Sequence, residues 1–226
     1  MLDRVLALLM IAPVCLCAFP AVAEVNAEIA VAELHIGPGP EHLLIESALE
    51  AGSGLAHFGL KIDGGSETRT AFDLVQVQAL WMPKVSKAAT LAFGLRRGED
   101  LVHASAGIEA ALASWLDAEH YVFVSQRGDL TGSGKLTASF DLSERWRFEP
   151  RLALNWSAQV IAPEALGRGL TDLNASTRLR FNLSERADAY VGVVHERLLG
   201  GTADVARAQA ATVHVTRGVI GFGLAI

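Results

Sequence analysis

The sequence predicts an all-β fold: a closed, antiparallel, up-and-down transmembrane β-barrel of about twelve strands with both termini on the periplasmic side. Three observations predict it. Mean hydropathy is high, at +0.31, yet beyond the N-terminus no run of about 18 apolar residues appears that would cross a bilayer as a helix. Segments of roughly ten residues instead alternate apolar and polar with period two, and Gly, Pro, Ser and Asp separate them. The connections alternate between short and long, as a meander through a membrane requires.

The chain opens with a segment of another kind. Arg4 gives a positive n-region, residues 5–16 are apolar, and Ala21-Val22-Ala23 ends in the small-x-small pattern of a signal-peptidase site before Glu24. Residues 1–23 are therefore expected to be an export signal, and residues 24–226 the barrel domain. Cys15 and Cys17 both fall in the signal. Neither follows the small residue that a lipid-anchor cleavage site needs. The mature chain would then hold no thiol for a disulfide, a zinc–sulfur site or a nucleophile. A formal net charge of −6 leaves no footprint for nucleic acid.

Strands are expected near 27–36, 42–51, 55–63, 69–82, 88–96, 102–112, 115–125, 133–142, 146–158, 172–183, 187–198 and 212–226. The clearest alternation puts Phe148, Pro150, Leu152, Leu154 and Trp156 on one face, with Glu149, Arg151, Ala153, Asn155 and Ser157 on the other. Leu173–Leu183 behaves alike, its polar face carrying Asn174, Ser176, Arg178, Arg180 and Asn182. In the last strand Ile220, Phe222, Leu224 and Ile226 oppose Gly221, Gly223 and Ala225. Closing such a sheet gives its apolar face to lipid and leaves no unpaired edge. Leu142-Ser143-Glu144-Arg145 and Leu183-Ser184-Glu185-Arg186 read as near-identical turns on the periplasmic side, and the long connections 159–171 and 199–211 fall on the outer side. Trp81, Trp115, Trp146 and Trp156 lie near strand ends, where interfacial aromatic girdles belong.

By alternation the inward polar set includes Glu33, His35, His57, Lys61, Asp63, Gln76, Gln78, His103, Glu109, Asp117, Glu119, Glu149, Arg151, Arg178, Arg180 and Glu196. Imidazole and carboxylate together suit Cu(II). The candidate metal ligands are His35, His57, His103 and Glu109, with Asp117 and Glu119 on neighbouring strands. The structural alternative is a charged network that fills a small polar lumen. Glu149, Arg151, Arg178 and Arg180 read as a salt-bridge ladder between adjacent strands, or as an anion-selecting constriction. Gly200-Gly201-Thr202-Ala203-Asp204 reads as a loop and not a phosphate cradle, with Asp204 and Arg207 placed to pair locally. His195 and His214 raise the question of a rim hydrolase, but no Ser–His spacing repeats a known nucleophile elbow, and no enzymatic activity is expected.

The second half resembles the copper resistance protein B family of outer-membrane proteins. The segments that carry the likeness are Glu149-Pro150-Arg151-Leu152-Ala153-Leu154-Asn155, Gly169-Leu170-Thr171-Asp172-Leu173 with Arg178-Leu179-Arg180, and Ala189-Tyr190-Val191-Gly192-Val193. The most specific string is Glu196-Arg197-Leu198-Leu199-Gly200-Gly201-Thr202-Ala203-Asp204-Val205-Ala206-Arg207. The resemblance implies an exported outer-membrane protein that sequesters periplasmic copper ions or helps export them, among outer-membrane lipid and periplasmic copper-handling proteins. Family members usually carry a Met- and His-rich segment before the barrel, whereas here the expected mature chain begins almost at the first strand, with Met82 its only methionine. Val194 and His195 also stand where the family pattern has an acidic and an aromatic residue. The alternative function is a general small outer-membrane channel or scaffold without copper binding.

Overall fold

A computed structural model describes residues 24–38, 42–53, 56–66, 74–98 and 101–225; the expected signal, residues 1–23, lies outside them. The strands are β1 (Glu24–Ile36), β2 (His42–Ser53), β3 (Ala56–Ser66), β4 (Leu74–Pro83), β5 (Ala89–Arg97), β6 (Val102–Ala113), β7 (Leu116–Ser125), β8 (Leu130–Ala138), β9 (Phe140–Asp141), β10 (Trp146–Ser157), β11 (Gly169–Asn182), β12 (Ala187–Leu198) and β13 (His214–Ala225). Each pairs antiparallel with its neighbour, and β1 pairs with β13, from Glu28↔Ala225 to Ile36↔Gly218. β8 and β9 are two pieces of one stave, so the barrel is closed and has twelve staves. Among the described residues no helix is long and apolar enough to cross a membrane.

A proline explains the broken stave. Pro150 has no N–H to give to a ladder. Opposite it the partner strand stops pairing after Arg151↔Thr137 and resumes only at Phe148↔Phe140. Ser139, in the gap, turns its N–H to the carbonyl of Trp115 at 2.8 Å. The stave expected at 133–142 therefore starts earlier, at Leu130, and is interrupted before it ends.

The end holding the N- and C-terminal residues of the described chain is here the turn end, and the opposite end the loop end. Three turn-end connections share one build. Val85 and Ser86 both donate backbone N–H groups to the Ala89 carbonyl, Leu142 and Ser143 to that of Trp146, and Leu183 and Ser184 to that of Ala187. In each the serine hydroxyl accepts a backbone N–H from within the turn. The two similar tetrapeptides thus form similar turns on one side, as expected, and 85–88 joins them.

The outer wall is apolar: Phe222, Ile220, Val191 and Val193 expose about half of their surface with lipid as their natural solvent. At the turn end Trp81 meets Phe93, Trp115 stacks on Phe140 and Trp146 meets Phe181, at centroid separations of 6.0, 5.5 and 4.9 Å. Trp156 lies toward the loop end, stacked on outward-facing His120.

At the loop end the 199–211 connection differs from expectation. Gly200–Ala208 is a helix, α1, in which Ala203, Ala206, Arg207 and Ala208 supply the helix propensity that the glycines, Thr202, Asp204 and Val205 do not. It seats by backbone contact: a Cβ on Gly167 would fall 2.4 Å from the Gly201 carbonyl carbon, and Gly167 donates its N–H to Thr202 Oγ1 at 2.9 Å. Arg207 and Asp204 pair at 2.7 Å, one turn apart.

Candidate functional site

The lumen holds the polar chemistry. Strand register puts Glu33 and His35 of β1, Lys61 of β3, Gln78 of β4, His103 and Glu109 of β6, Glu119 of β7 and Arg178 and Arg180 of β11 inside. Much of this set is joined in ion pairs. Arg178 forks onto Glu33, Nε to Oε2 at 2.9 Å and Nη2 to Oε1 at 3.0 Å. Arg180 donates to Asp188 at 2.8 Å and to Glu149 at 3.1 Å. Arg151 reaches Glu46 at 3.2 Å. Lys61 donates to Glu109, and to Glu119 at 3.1 Å; Tyr121 also donates to Glu109. Lys135 completes this cluster on Glu119 at 2.8 Å.

The expected ladder of Glu149, Arg151 and Arg180 is therefore present. Arg178 differs: it passes under β12 and β13 to reach β1. Such a pair depends on ring closure, which no local pattern reveals. Alternation gives the inward aim of Glu46 and Glu50, but their role becomes visible only once β1, β2 and β3 are in register.

Below the network, at the turn end, lies a cavity of about 970 Å³. The turn from Lys84 to Ala88 forms part of its lip, so it opens toward that end. Eight carboxylates line it against five cationic side chains, which makes it a negative vestibule. Glu28, Glu50 and Asp117 make no ion pair among the described residues. A wet concavity of this sign concentrates cations.

The four candidate metal ligands all face inward, on three different strands, β1, β3 and β6. His35 is buried near the loop end, with Nε2 2.8 Å from Glu33 Oε1. His103 is also near the loop end, paired in the ladder with Arg96. Glu109 is committed to Lys61 and Tyr121. His57 is near the turn end, beside Met82 of β4. The structure does not bring these four together, and among the described residues no three His, Cys, Asp or Glu side chains are grouped to hold a metal ion. Within the lumen Leu80, Met82, Ala92, Tyr121 and Phe123 form an apolar patch, with Arg96 stacked on Phe123 at 3.7 Å.

His195 and His214 face outward near the loop end, 6.4 Å apart between ring centroids, with His195 Nδ1 2.8 Å from Thr216 Oγ1. The Ser157 hydroxyl lies on the inner face and donates to the Gln159 carbonyl.

The family profile described as Copper resistance protein B precursor (CopB) matches residues 25–225, nearly the whole barrel. The chain belongs to the copper resistance protein B family. It is 30% identical over 166 residues to the Copper resistance protein B homolog of Pseudomonas syringae pv. tomato, covering 71% of this chain and 56% of that protein. It is 29% identical over 157 residues to Copper resistance protein B of Escherichia coli, covering 66% and 52%. The chain spans about half the length of these curated relatives. The NanC porin superposes with a TM-score of 0.52 over 89% of this chain and 99% of its own, at 9% identity; that likeness shows the fold alone.

The copper resistance protein B string from Glu196 to Arg207 has architectural work in this member. Glu196 accepts from Arg217 at 2.8 Å, Gly201 and Thr202 seat α1 on Gly167, and Asp204 pairs with Arg207. The sharpest family signature thus builds the β12–β13 connection.

Proposed function

We propose that this barrel serves copper resistance in the outer membrane of a Gram-negative cell, with its turn end toward the periplasm. Its vestibule draws in copper ions for sequestration or for export with periplasmic copper-handling proteins, and the chain performs no catalysis. The observation that carries this reading is the joining of copper resistance family membership with a cation-attracting cavity that opens at one end. Free carboxylates suit a loosely held, hydrated dication, and a weak hold suits transfer. A deletion strain tests the reading: it should grow less well in copper and recover with the wild-type gene. A variant with Glu28→Gln, Glu50→Gln and Asp117→Asn should restore growth only in part.

A second reading, a small channel or scaffold without copper binding, draws on the lack of any three-ligand group among the described residues. Unchanged copper tolerance on deletion would favour it.

A further inference from the structure

Three inward histidines were candidates for metal, and their surroundings separate them. His35 is held by Glu33. His103 stands beside the Arg96 guanidinium, which repels a cation. His57 and His103 each bury one ring nitrogen without a hydrogen-bond partner, Nε2 in His57 and Nδ1 in His103. But His57, 6% exposed, has Gly52 and Met82 and no guanidinium as its ladder partners. A buried imidazole nitrogen without a partner is uncommon enough to need a reason.

Its register partner across the β3–β4 ladder is Met82, which is 2% exposed. The Met82 thioether leans along β3: a Cβ built on Gly59 would lie 2.6 Å from Met82 Sδ. Gly59 is the next inward position after His57, so the sulfur rests on the same row of β3 as the imidazole. Around Met82 are Leu80, Ala92, Tyr121 and Phe123, which bring no carboxylate. The nearest cation on that row, Lys61, is neutralised by Glu109 and Glu119.

We propose that His57 and Met82 form a two-ligand site for a soft monovalent cation, copper(I), at the turn-end side of the lumen. Imidazole nitrogen and thioether sulfur are ligands that copper(I) accepts, whereas a divalent ion seeks oxygen donors, and those beside this pocket, Tyr121 and Glu109, are committed to each other and to Lys61. A single positive charge is also the smaller burden in an apolar niche. Binding uses the lone pairs of Nε2 and Sδ and changes no oxidation state. Gly59 has a defined part: it leaves the space that the sulfur fills. The site rests on the copper reading above and takes copper that enters the lumen already as copper(I), separately from the hydrated dication that the vestibule carboxylates attract.

The test uses the untagged full chain in detergent. Silver(I) serves as a redox-inert probe, and copper(I) is presented anaerobically against a chromophoric chelator. The full chain holds Met1, Met10 and Met82, so the ¹³C-methyl signal of Met82 is assigned as the one missing from Met82→Leu and then reports on the sulfur. One equivalent of silver(I) should shift the Met82 methyl signal, and X-ray absorption of the copper(I) form should show one nitrogen and one sulfur neighbour. Met82→Leu, close to the native volume, and Gly59→Ala, which only pushes the sulfur aside, should each weaken binding at least tenfold. Heat-modifiable migration on gels verifies the fold of both variants. An unmoved methyl signal, or equal affinity in Met82→Leu, overturns the site while leaving the vestibule and a copper-sensitive deletion strain standing. A site that binds in a chain whose deletion leaves copper tolerance unchanged sinks the resistance reading and keeps the site.

Discussion

Arg178 of β11 holds Glu33 of β1 by both arms of its guanidinium, at 2.9 and 3.0 Å, across 145 residues of sequence. Both side chains are almost fully enclosed, at 4% and 1% exposed. Because β11, β12, β13 and β1 are consecutive in the ring, the pair braces the seam where the chain's two ends meet. Glu33→Gln should cost on the order of 3–5 kcal/mol, since it leaves a buried guanidinium without its counter-charge. Glu33→Gln combined with Arg178→Met should cost less than Glu33→Gln alone. Denaturant midpoints read by tryptophan fluorescence provide the comparison, and a double variant weaker than the single one would contradict the brace.

Gly94 lies where no side chain fits. A Cβ there would stand 1.8 Å from the Ala79 carbonyl oxygen, and both groups belong to the backbone, so neither can turn away. Gly94→Ala should cost about 3 kcal/mol, at the upper end for overpacking. The loss should appear as faster amide exchange in β4 and β5, whose ladder here pairs Val77 through Trp81.

The lipid face makes a separate prediction. Val191 lies on the outer wall midway along β12 and is half exposed. Val191→Arg should lower folding stability in vesicles by about 2–4 kcal/mol, the cost of a cation at the bilayer midplane. Arg197, on the same face near the loop end, shows where that charge is tolerated. Urea titration of folding into lipid vesicles is the measurement, and a neutral Val191→Arg would mean that this wall does not meet hydrocarbon.

Gly167→Ala should release α1 and leave the barrel intact. The added methyl would enter the Gly201–Thr202 backbone, and the hydrogen bond to Thr202 would be lost. Limited proteolysis should then cut within 199–213 faster than in the wild type, with unchanged heat-modifiable migration.

Most of the wall was legible in the sequence, for a physical reason. Lipid outside and water inside give each strand an unambiguous phase, so the alternation of Phe148–Ser157 and of Ile220–Ile226 assigns faces directly. Paired tetrapeptides such as Leu142–Arg145 and Leu183–Arg186 place the turns. Three features were not legible. Pro150 breaks its partner strand, which requires knowing the register that sets Ala138 opposite it. The Gly200–Gly201 start suggests a loop, and only packing on Gly167 stabilises the short helix that follows. The third concerns long-range pairing: Arg178 with Glu33, and Met82 with His57, depend on ring closure and register. Alternation from Gln76 and Gln78 does put Met82 inside, but not its sulfur over Gly59. The candidate ligands were read as inward correctly, yet inward aim says nothing of place in the lumen: His57 lies near the turn end, while His35 and His103 lie near the loop end on β1 and β6, which are not neighbours in the ring.

The most direct test of the central claim is a calorimetric titration of Cu(II) into the full-length protein in detergent at low ionic strength. It would compare the wild type with the combined Glu28→Gln, Glu50→Gln and Asp117→Asn variant. The vestibule account predicts weak binding that falls as salt is raised, and at least a tenfold loss in the neutralised variant. Equal affinity in the two proteins, or no heat at all from the wild type, would contradict it.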